Sequence, residues 1–578
     1  MSSRLSPERG TMGGYIPGTP LSPPSDPATT PRRPDSPSTR SPSDVLVRVL
    51  PAALLLLFAT LSWVLRAPAM LTRQDDARYL GLARALRMGT YRDFMWPGAP
   101  WHHMYPPGFP ALLAVWTAIG GESFDWLVTL HITLSVVSLG VMYLAVRRGM
   151  SPLIALLSLA VLAVSPQYID QAGQVGSESA LAVCFSLAAW SSITMPRGKA
   201  QTSVLIALAM LAPLMRSAGL ALPAAVGLCW LSQKRYRDAA LLTAIGAVIL
   251  GALVMWTLAD PTPLAGSSYA GDIASAKAAP AGLVVTFAQR IAKSLEFYLT
   301  RSIPILFAMP TVEGTVIDNI IGVSLLSAGL VVGMLRATAR LRVTALLLFF
   351  TALILLIWPY RQLRFLFPVA PLLVPIVLFG LEWIVVRLRR ASPTAVLIGI
   401  SLVLVLSGFA ENRAKYLATR ECVRGRAMPA DNCVAPDQAS FFHAAAFVRD
   451  SLPREARILS AKSEPLYIYT GHTTLPTALW LVRDSTTIWE GLRRERAEYV
   501  LLEALHVWSV NFLAPLLASH CHALAVAASF PPNTYLFRTI PPDPANRAAC
   551  VAIAAYRQRV TLPPDGAHAF RGASASAH

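Results

Sequence analysis

Apolar runs long enough to cross a lipid bilayer recur along the chain between residues 46 and 411, and they restrict the possible folds most strongly. A helix of about 20 apolar residues spans the hydrocarbon core, and the runs predict about 11 such helices. We place the spans at 46–66, 124–146, 151–166, 178–195, 201–215, 218–232, 239–258, 315–335, 343–358, 365–386 and 394–411. Charged residues make up 14% of the sequence, against ~25% in soluble domains. The expected fold class is a polytopic α-helical membrane protein, and an ordinary soluble enzyme is excluded.

Basic residues follow alternate spans and predict the orientation of the chain. They occur at Arg147 and Arg148, Arg197 and Lys199, Lys234, Arg235 and Arg237, Arg336–Arg342, and Arg387, Arg389 and Arg390. Because Lys and Arg concentrate in cytoplasmic loops, these loops and the N-terminus are expected in the cytoplasm. The net charge of +18 is assigned to this bias rather than to nucleic-acid binding. We expect a multi-pass protein of the inner (plasma) membrane.

Three domains follow from this topology. Residues 1–44 are rich in Pro and Ser and poor in large apolar residues, which predicts a disordered cytoplasmic tail. Residues 45–411 form the membrane module, with outer loops at 67–123 and 259–314. Residues 412–578 are expected outside the cytoplasm as a soluble α/β domain, with a helix at Ser440–Ser451. Strand-like runs are predicted at Arg457–Ser460, Tyr499–Glu503 and Tyr535–Arg538.

The first outer loop carries two adjacent carboxylates, Asp75 and Asp76, at the start of a helix-like run that ends near Gly89. They could simply cap the helix and complement its dipole. They could also form a reactive pair at the boundary between water and lipid. The run has apolar and basic faces, which predicts an interfacial helix on the membrane surface. Its apolar face comprises Tyr79, Leu80, Ala83 and Leu86, and its basic face comprises Arg78, Arg84 and Arg87.

Farther along the same loop, Trp101–Pro110 leads into an apolar run at 109–120 that is too short to span the bilayer. Its two histidines, His102 and His103, could in principle bind a metal ion. Adjacent side chains do not easily share one metal, however, and no second ligand pair is evident nearby. No metal and no cofactor are expected.

These motifs resemble the GT-C superfamily of membrane glycosyltransferases. The likeness rests on Asp75-Asp76-x-Arg78-Tyr79 after the first span, on Gly89, and on Tyr105-Pro106-Pro107-Gly108 before an apolar stretch. The branch indicated is the bacterial one similar to protein O-mannosyltransferases and the lipid A aminoarabinose transferase. The resemblance covers residues 46 to 410, and an outer C-terminal domain also agrees with it.

The resemblance implies a transferase that uses a polyprenyl-phosphate sugar as donor and a lipid, glycan or protein as acceptor. Asp75 matches the first acid of the family's Asp-Glu pair, the catalytic carboxylate, and Asp76 stands where the family usually has Glu. Glu178 matches a second acid of the next outer loop. The family often has Lys before the Pro-Pro pair, and here Tyr105 replaces it, which leaves open which group holds the donor phosphate.

Residue chemistry agrees with these roles. A carboxylate can take the proton of the acceptor hydroxyl during an inverting displacement, and Asp75 is the expected general base, with Asp76 and Glu178 shaping the site. Cations should stabilise the leaving lipid phosphate. Arg361 and Arg364 at the outer mouth of a span are the first candidates, although both could merely anchor the helix at the interface. Further candidates for substrate binding are Arg78, Tyr105 and Arg216.

Two other classes of function were weighed. A secondary transporter or lipid flippase would place ionisable residues within spans and would often show internal repeats. The middles of these spans are nearly free of ionisable residues, and no repeat is visible. A non-catalytic assembly scaffold could have lost the outer acids, all of which are present. The transferase is therefore preferred.

The cysteines provide a separate test of the orientation. Cys184 and Cys229 lie within predicted spans and are expected to be unpaired. The other four fall in the predicted outer domain, where disulfides are stable: Cys422, Cys433, Cys521 and Cys550. Of three possible connectivities, we favour Cys422–Cys433 and Cys521–Cys550. Four unpaired thiols in a reducing compartment are the alternative.

Overall fold

The computed structural model describes residues 42–69, 74–259, 283–309, 320–337, 339–388, 392–422, 429–475, 485–505 and 508–560. All structural statements below concern these residues. The predicted disordered tail at 1–44 lies almost wholly outside them, and so do residues 260–282 and 310–314 of the predicted second outer loop.

Apolar helices account for most of the chain up to residue 419. The helices are α1 Pro42–Val64, α2 Gln74–Arg87, α3 Gly108–Gly120, α4 Phe124–Gly149, α5 Pro152–Val164, α6 Pro166–Ala172, α7 Glu178–Thr194, α8 Lys199–Met215, α9 Ala221–Ser232, α10 Tyr236–Ala259, α11 Leu283–Phe297, α12 Ile320–Leu335, α13 Arg342–Ile357, α14 Ala370–Leu388 and α15 Pro393–Thr419. Each predicted span overlaps one of them, and the largest difference is at α15, which continues to Thr419 beyond the predicted end at residue 411. Local signals set several starts, as at α5, where the Ser151 hydroxyl accepts from the Ile154 N–H and Pro152 follows.

The predicted count of about 11 spans is not confirmed. Within the described residues, three helical stretches are individually long and apolar enough to cross a membrane: Phe124–Gly149, Leu363–Leu388 and Pro393–Thr419. The pair α5 and α6 passes the same test jointly but bends by 68° at Ser165, where Pro166 begins the second helix. Other apolar helices, including α7, α8 and α13, have 10–17 residues.

Close helix packing in the bundle depends on small residues. On α14, a Cβ atom at Gly380 would lie 1.9 Å from the Gly329 carbonyl oxygen of α12. On α12, a Cβ atom at Gly333 would lie 2.1 Å from the Ile376 carbonyl oxygen. Gly329 and Gly333 are one helical turn apart and let the two backbones touch, as small residues do in membrane helix pairs.

The C-terminal region, called the outer domain after its predicted location, is a small α/β unit within the described residues of 429–560. Its sheet has the order β2-β1-β3-β5-β4, in which β1 is parallel to β2 and β3, and β5 is antiparallel to β3 and β4. The strands are β1 Ile458–Ser460, β2 Thr474–Leu475, β3 Tyr499–Leu502, β4 Leu524–Phe530 and β5 Thr534–Thr539, with helices α16 Pro436–Ser451, α17 Ser463–Thr470, α18 Ser485–Arg494, α19 Ala514–Ser519 and α20 Ala548–Arg559. The predicted helix and the three predicted strand-like runs are all present. The alanine-rich β4 and the short β2 were not predicted.

One of the two favoured disulfides is present. Cys521 and Cys550 are bonded, with their Cα atoms 4.9 Å apart. The bridge predicted between Cys422 and Cys433 is not formed. Both thiols are directed at Asn432 instead. Cys422 Sγ lies 3.8 Å from the Asn432 carbonyl oxygen, and Cys433 Sγ lies 3.6 Å from the Asn432 side-chain oxygen. Cys184 and Cys229 are buried and outside any disulfide, as expected.

The position of α2 differs from the prediction. It does not lie on an open membrane surface, because it packs between α3 and α17 of the outer domain. Leu82 and Ala85 are buried together with Tyr79, Leu80 and Ala83 of the predicted apolar face, whereas Leu86 of that face is half-buried. Arg78, expected on an exposed basic face, is buried as well. Gly89, with φ of 75°, ends the helix as predicted.

Candidate active site

Asp75 lies where the helical bundle meets the outer domain. It belongs to the first turn of α2, and its carboxylate joins two other segments of the membrane module. The Tyr105 hydroxyl, from the segment before α3, donates to Oδ1 at 2.7 Å. Arg364, from the 3₁₀ turn Leu363–Val369, donates to Oδ2. No backbone N–H of the described residues donates to Asp75, so the capping role considered for it is not what the structure shows.

The second predicted acid, Glu178, lies close to the same arginine. It is the first residue of α7, and Arg216 Nη1 donates to its Oε1 at 3.0 Å. The same nitrogen donates to Ser177 Oγ at 2.9 Å. Arg364 Nε lies 3.7 Å from the same Glu178 oxygen. Gly176 makes room for this carboxylate, because a Cβ atom at that position would lie 2.3 Å from Glu178 Oε2.

Two acids and two arginines therefore alternate in one row, which runs Asp75, Arg364, Glu178, Arg216. We call these four residues the charge row. All four side chains are mostly buried, from 7% exposed at Glu178 to 22% at Asp75. Such a row has no net charge, and the fork of an arginine has a shape suited to phosphate oxygens. Burial alone would raise the pKa of Asp75, but the charge of Arg364, the hydrogen bond from Tyr105 and the charge of Arg216 hold it well below its usual range.

Tyr105 is itself held in place by two buried residues. His102 Nδ1 lies 2.9 Å from the Asp93 carboxylate, and His102 Nε2 accepts the Tyr105 backbone N–H at 2.8 Å. An imidazole that accepts at Nε2 carries its proton at Nδ1, so it donates to Asp93. Burial lowers the pKa of His102, with Asp93 opposing, which agrees with a neutral ring. His102, weighed earlier as a metal ligand, is engaged in orienting the tyrosine that contacts Asp75.

The outer domain reaches this region through residues that follow β1. Glu464, at the start of α17, forms an ion pair with Arg78, and the two side chains are 1% and 8% exposed. Lys462, two residues earlier, is buried. Burial lowers the pKa of Lys462, while the charges of Glu503, Asp76 and Glu464 act to raise it. Sequence reasoning missed these residues. The available signal was their place at the carboxyl ends of β1 and β3, where α/β sheets usually carry sites.

Not every predicted site residue joins the charge row. Asp76 is buried, and its Oδ1 accepts the Ala77 backbone N–H at 2.8 Å. Its charge acts on Lys462 of the outer domain. Arg78 faces Glu464, as described above. Arg361 is exposed and forms no ion pair with any carboxylate in the part of the chain that the structure describes. The structure therefore unites Asp75, Tyr105, Glu178, Arg216 and Arg364.

One cluster among the described residues has the ligand types of a metal site. It consists of Cys521, His522 and Cys550 in the outer domain. Its two sulfur atoms form the disulfide, so they are not available as thiolate ligands. The cluster is also separate from the charge row.

No protein-family model and no curated protein matches the sequence. Among solved structures, the oligosaccharyltransferase of Archaeoglobus fulgidus tethered with an acceptor peptide aligns with a TM-score of 0.50 at 12% identity, over 86% of this chain and 75% of that chain. The same organism's oligosaccharyltransferase AglB, in complex with an inhibitory peptide and a dolichol-phosphate, gives 0.50 at 12% identity, over 89% and 78%. The chain shares the fold of these two oligosaccharyltransferase structures.

The expected resemblance is thus confirmed at the level of the fold. ArnT from Cupriavidus metallidurans, bound to undecaprenyl phosphate, aligns over 85% of this chain and 97% of that chain, with 14% identity and a TM-score of 0.48. Apart from the polar α2, the helices α1 to α15 are mainly apolar, as the predicted polytopic membrane protein requires. The charge row joins the start of α2, the start of α7, the turn after α8 and the 3₁₀ turn before α14.

Proposed function

We propose that this protein is a membrane glycosyltransferase, which moves a sugar from a polyprenyl-phosphate donor to an acceptor hydroxyl at the outer face of the inner membrane. The observation that carries the proposal is the Asp75 carboxylate held between the Tyr105 hydroxyl and the Arg364 guanidinium. The GT-C fold supports it, and one structure of that fold, the A. fulgidus enzyme, contains a dolichol-phosphate. The acceptor is a lipid, a glycan or a protein.

The proposed reaction is an inverting displacement in which Asp75 is the general base. Asp75 takes the proton of the acceptor hydroxyl as the acceptor oxygen attacks the anomeric carbon. The bond from that carbon to the phosphate oxygen breaks, and its electron pair leaves with the lipid phosphate. Arg364 and Arg216 stabilise the charge that develops there. Glu178 keeps both guanidinium groups aimed at the same space, through contacts of 3.0 and 3.7 Å.

The resting site holds Asp75 in a form that is a poor base. A general base is most effective when its pKa is near the working pH, whereas Arg364 and Tyr105 hold the pKa of Asp75 well below its usual range. A bound donor phosphate would compete for Arg364 and weaken its hold on the carboxylate. Because burial alone raises this pKa, Asp75 would then become more basic. We therefore propose that the donor binds first and activates the base.

The remaining predicted residues receive narrower roles. Tyr105, which stands where the family often has Lys, orients Asp75 rather than holding the phosphate. Arg78 is a positioning residue, because Glu464 occupies its guanidinium. Arg361, exposed at the outer mouth, is proposed to make the first contact with the incoming phosphate. Asp76 is proposed to attract Lys462 and so to hold the outer domain in position against α2.

The test uses the full chain reconstituted in lipid nanodiscs with a panel of polyprenyl-phosphate sugars. The measurements are release of the free polyprenyl phosphate and the mass of the acceptor fraction. We expect release with at least one donor, and we expect Asp75→Asn to abolish it. Glu122→Gln is the matched control, because Glu122 pairs with Arg84 and Arg87 outside the charge row.

The alternative of a transporter or flippase predicts another result. Such a protein would move the lipid-linked sugar across the bilayer without cleaving it. Comparing the masses of envelope glycolipids, glycans and proteins with and without the gene extends the test to the cell. An unchanged set of saccharide products in every envelope fraction would contradict the transferase.

A further inference from the structure

A cavity of about 190 Å³ lies at the end of the bundle away from the charge row. Helix α7 begins at Glu178 in the charge row and ends at Thr194, beside the cavity. Seventeen residues correspond to ~25 Å of helix at 1.5 Å per residue. The cavity and the charge row are therefore separate sites on the two ends of one helix.

Three arginines from three segments line this cavity, and we call it the arginine cavity. Arg197 follows α7, Arg235 follows α9, and Arg340 precedes α13. Arg235 is fixed in direction, since its Nε donates to Asp238 Oδ2 at 2.7 Å and its Nη2 donates to Thr202 Oγ1 at 2.6 Å. At least one guanidinium is thus held in place before any ligand arrives.

Carboxylates do not balance this charge. Asp238 forms an ion pair with Arg235. Neither Arg197 nor Arg340 has a carboxylate within ion-pair distance in the described part of the chain. Both are exposed at the rim of the cavity, where their side chains can close on a ligand. An anion inside would meet a net positive charge and two guanidinium forks, the geometry that suits phosphate oxygens.

The other side chains that line the arginine cavity indicate which kind of anion it binds. Polar side chains of Ser192, Gln201 and Gln233 line the cavity beside the arginines. The cavity is also lined by the apolar side chains of Ile193, Leu205 and Val343. These residues belong to α7, α8 and α13. A free inorganic ion would use only the polar part. A phosphate attached to glycerol and acyl chains would use both, because its apolar portion would lie along the helix surfaces.

We propose that the arginine cavity binds the phosphate of an anionic phospholipid headgroup, in the leaflet opposite the charge row. Basic pockets between membrane helices are suited to such headgroups. The volume is many times the 10–15 Å³ or so that one water requires, so a phosphate and part of its glycerol fit. The bound lipid would brace α7, α9 and α13 from the end opposite the catalytic residues. This proposal does not depend on the proposed function.

The experiment measures lipid retention by native mass spectrometry of the full-length protein. Purified protein is titrated with phosphatidylglycerol, with phosphatidylcholine or with inorganic phosphate. We expect saturable retention of phosphatidylglycerol, at least tenfold tighter than phosphatidylcholine. We also expect the double variant Arg197→Gln/Arg340→Gln to lose this tenfold preference, since it removes two charge-assisted hydrogen bonds to the phosphate. The single variant Arg340→Gln, which alters one exposed side chain, should lose part of it.

The matched control is Arg147→Gln/Arg148→Gln, which removes the same charge from the exposed end of α4. It should retain phosphatidylglycerol as the wild type does. Equal loss in the control and the cavity variant would show a general attraction to basic residues and would overturn the proposal. So would equal retention of both lipids by the wild type. Displacement of phosphatidylglycerol by equimolar inorganic phosphate would assign the cavity to the free ion and overturn the lipid assignment.

Discussion

Arg78 of α2 and Glu464 of the outer domain form a buried ion pair across 386 positions of sequence. Arg78 lies three residues after Asp75 on the same short helix. The pair therefore ties the segment that carries the proposed base to the carboxyl end of β1. The Arg78 guanidinium also lies 4.8 Å from the centre of the Trp96 ring. The position of Asp75 thus depends on the outer domain as well as on the membrane helices.

Glu464→Ala should destabilise the protein strongly. It leaves the Arg78 guanidinium buried without its carboxylate, and breaking a buried pair in this way costs about 3–5 kcal/mol. The double variant Arg78→Met/Glu464→Leu should recover much of that loss, because no uncompensated charge remains. Thermal unfolding of the purified protein measures both effects. A single variant as stable as the wild type would show that the pair does not fasten the two parts together.

Hydropathy was sufficient to predict the helices, because each apolar run must form its hydrogen bonds within one helix when it lies in lipid. Asp75 could be proposed from its place at a helix start after the first span, and Glu178 from the family resemblance. The residues that contact these two acids could not be predicted from the sequence. Arg364 contacts Asp75 from 289 positions away, and Glu464 is still more distant from Arg78. No periodicity encodes such contacts, which depend on how the helices and the outer domain pack together.

Asp75→Asn should reduce transfer by about 10²–10⁴-fold, the usual contribution of a positioned general base. The amide keeps the size of the side chain and can still accept from Tyr105, so folding and membrane insertion should be unchanged. Turnover is measured by release of polyprenyl phosphate. Activity above a tenth of wild type would remove Asp75 from the role of base. Glu178→Gln should have a smaller effect, because Glu178 acts through the arginines, and an equal or greater loss would reverse the two roles.

Arg364→Ala should raise the KM for the lipid-phosphate donor and also lower kcat, because Arg364 is proposed to contact the phosphate in the ground state and in the transition state. Arg216→Ala should act in the same direction. Arg361→Ala should raise KM with little change in kcat, since Arg361 is exposed and lies outside the charge row. Donor saturation curves in nanodiscs separate these outcomes. Unchanged donor kinetics in all three variants would show that these arginines do not bind the donor phosphate, and interfacial anchoring would then be the preferred role.

Cys521→Ser should destabilise the outer domain by about 3.6 kcal/mol, as estimated from the entropy of closing a loop of this size. The bridge spans 29 residues and ties α20 to the segment before β4. Peptide mapping without reductant should recover the linked peptides that contain Cys521 and Cys550. Cys433→Ser is the matched control and should change stability less, because Cys433 is not in a disulfide. Recovery of a Cys422–Cys433 peptide instead would contradict the structure.

The pH dependence of kcat/KM should show how far Arg364 lowers the pKa of Asp75. In the free protein the pKa of Asp75 is lowered, so its carboxylate stays ionised and the activity should persist as the pH falls through the usual range of aspartate. The lowered pKa of Asp75 also stabilises the folded protein. This stabilisation is present at pH values above the unfolded-state pKa of about 3.9, and it is lost only as the pH drops through the lower folded-state pKa.

Arg364→Gln removes the largest lowering charge, while burial continues to favour the protonated form. The acidic limb of the kcat/KM profile should therefore move to higher pH in this variant, and Arg361→Gln should leave it in place. Arg216→Gln should give a smaller shift in the same direction, because Arg216 contributes less to lowering the pKa of Asp75. The three profiles are recorded with one donor and one acceptor. An acidic limb that is identical in wild type and Arg364→Gln would show that Asp75 is not the titrating base.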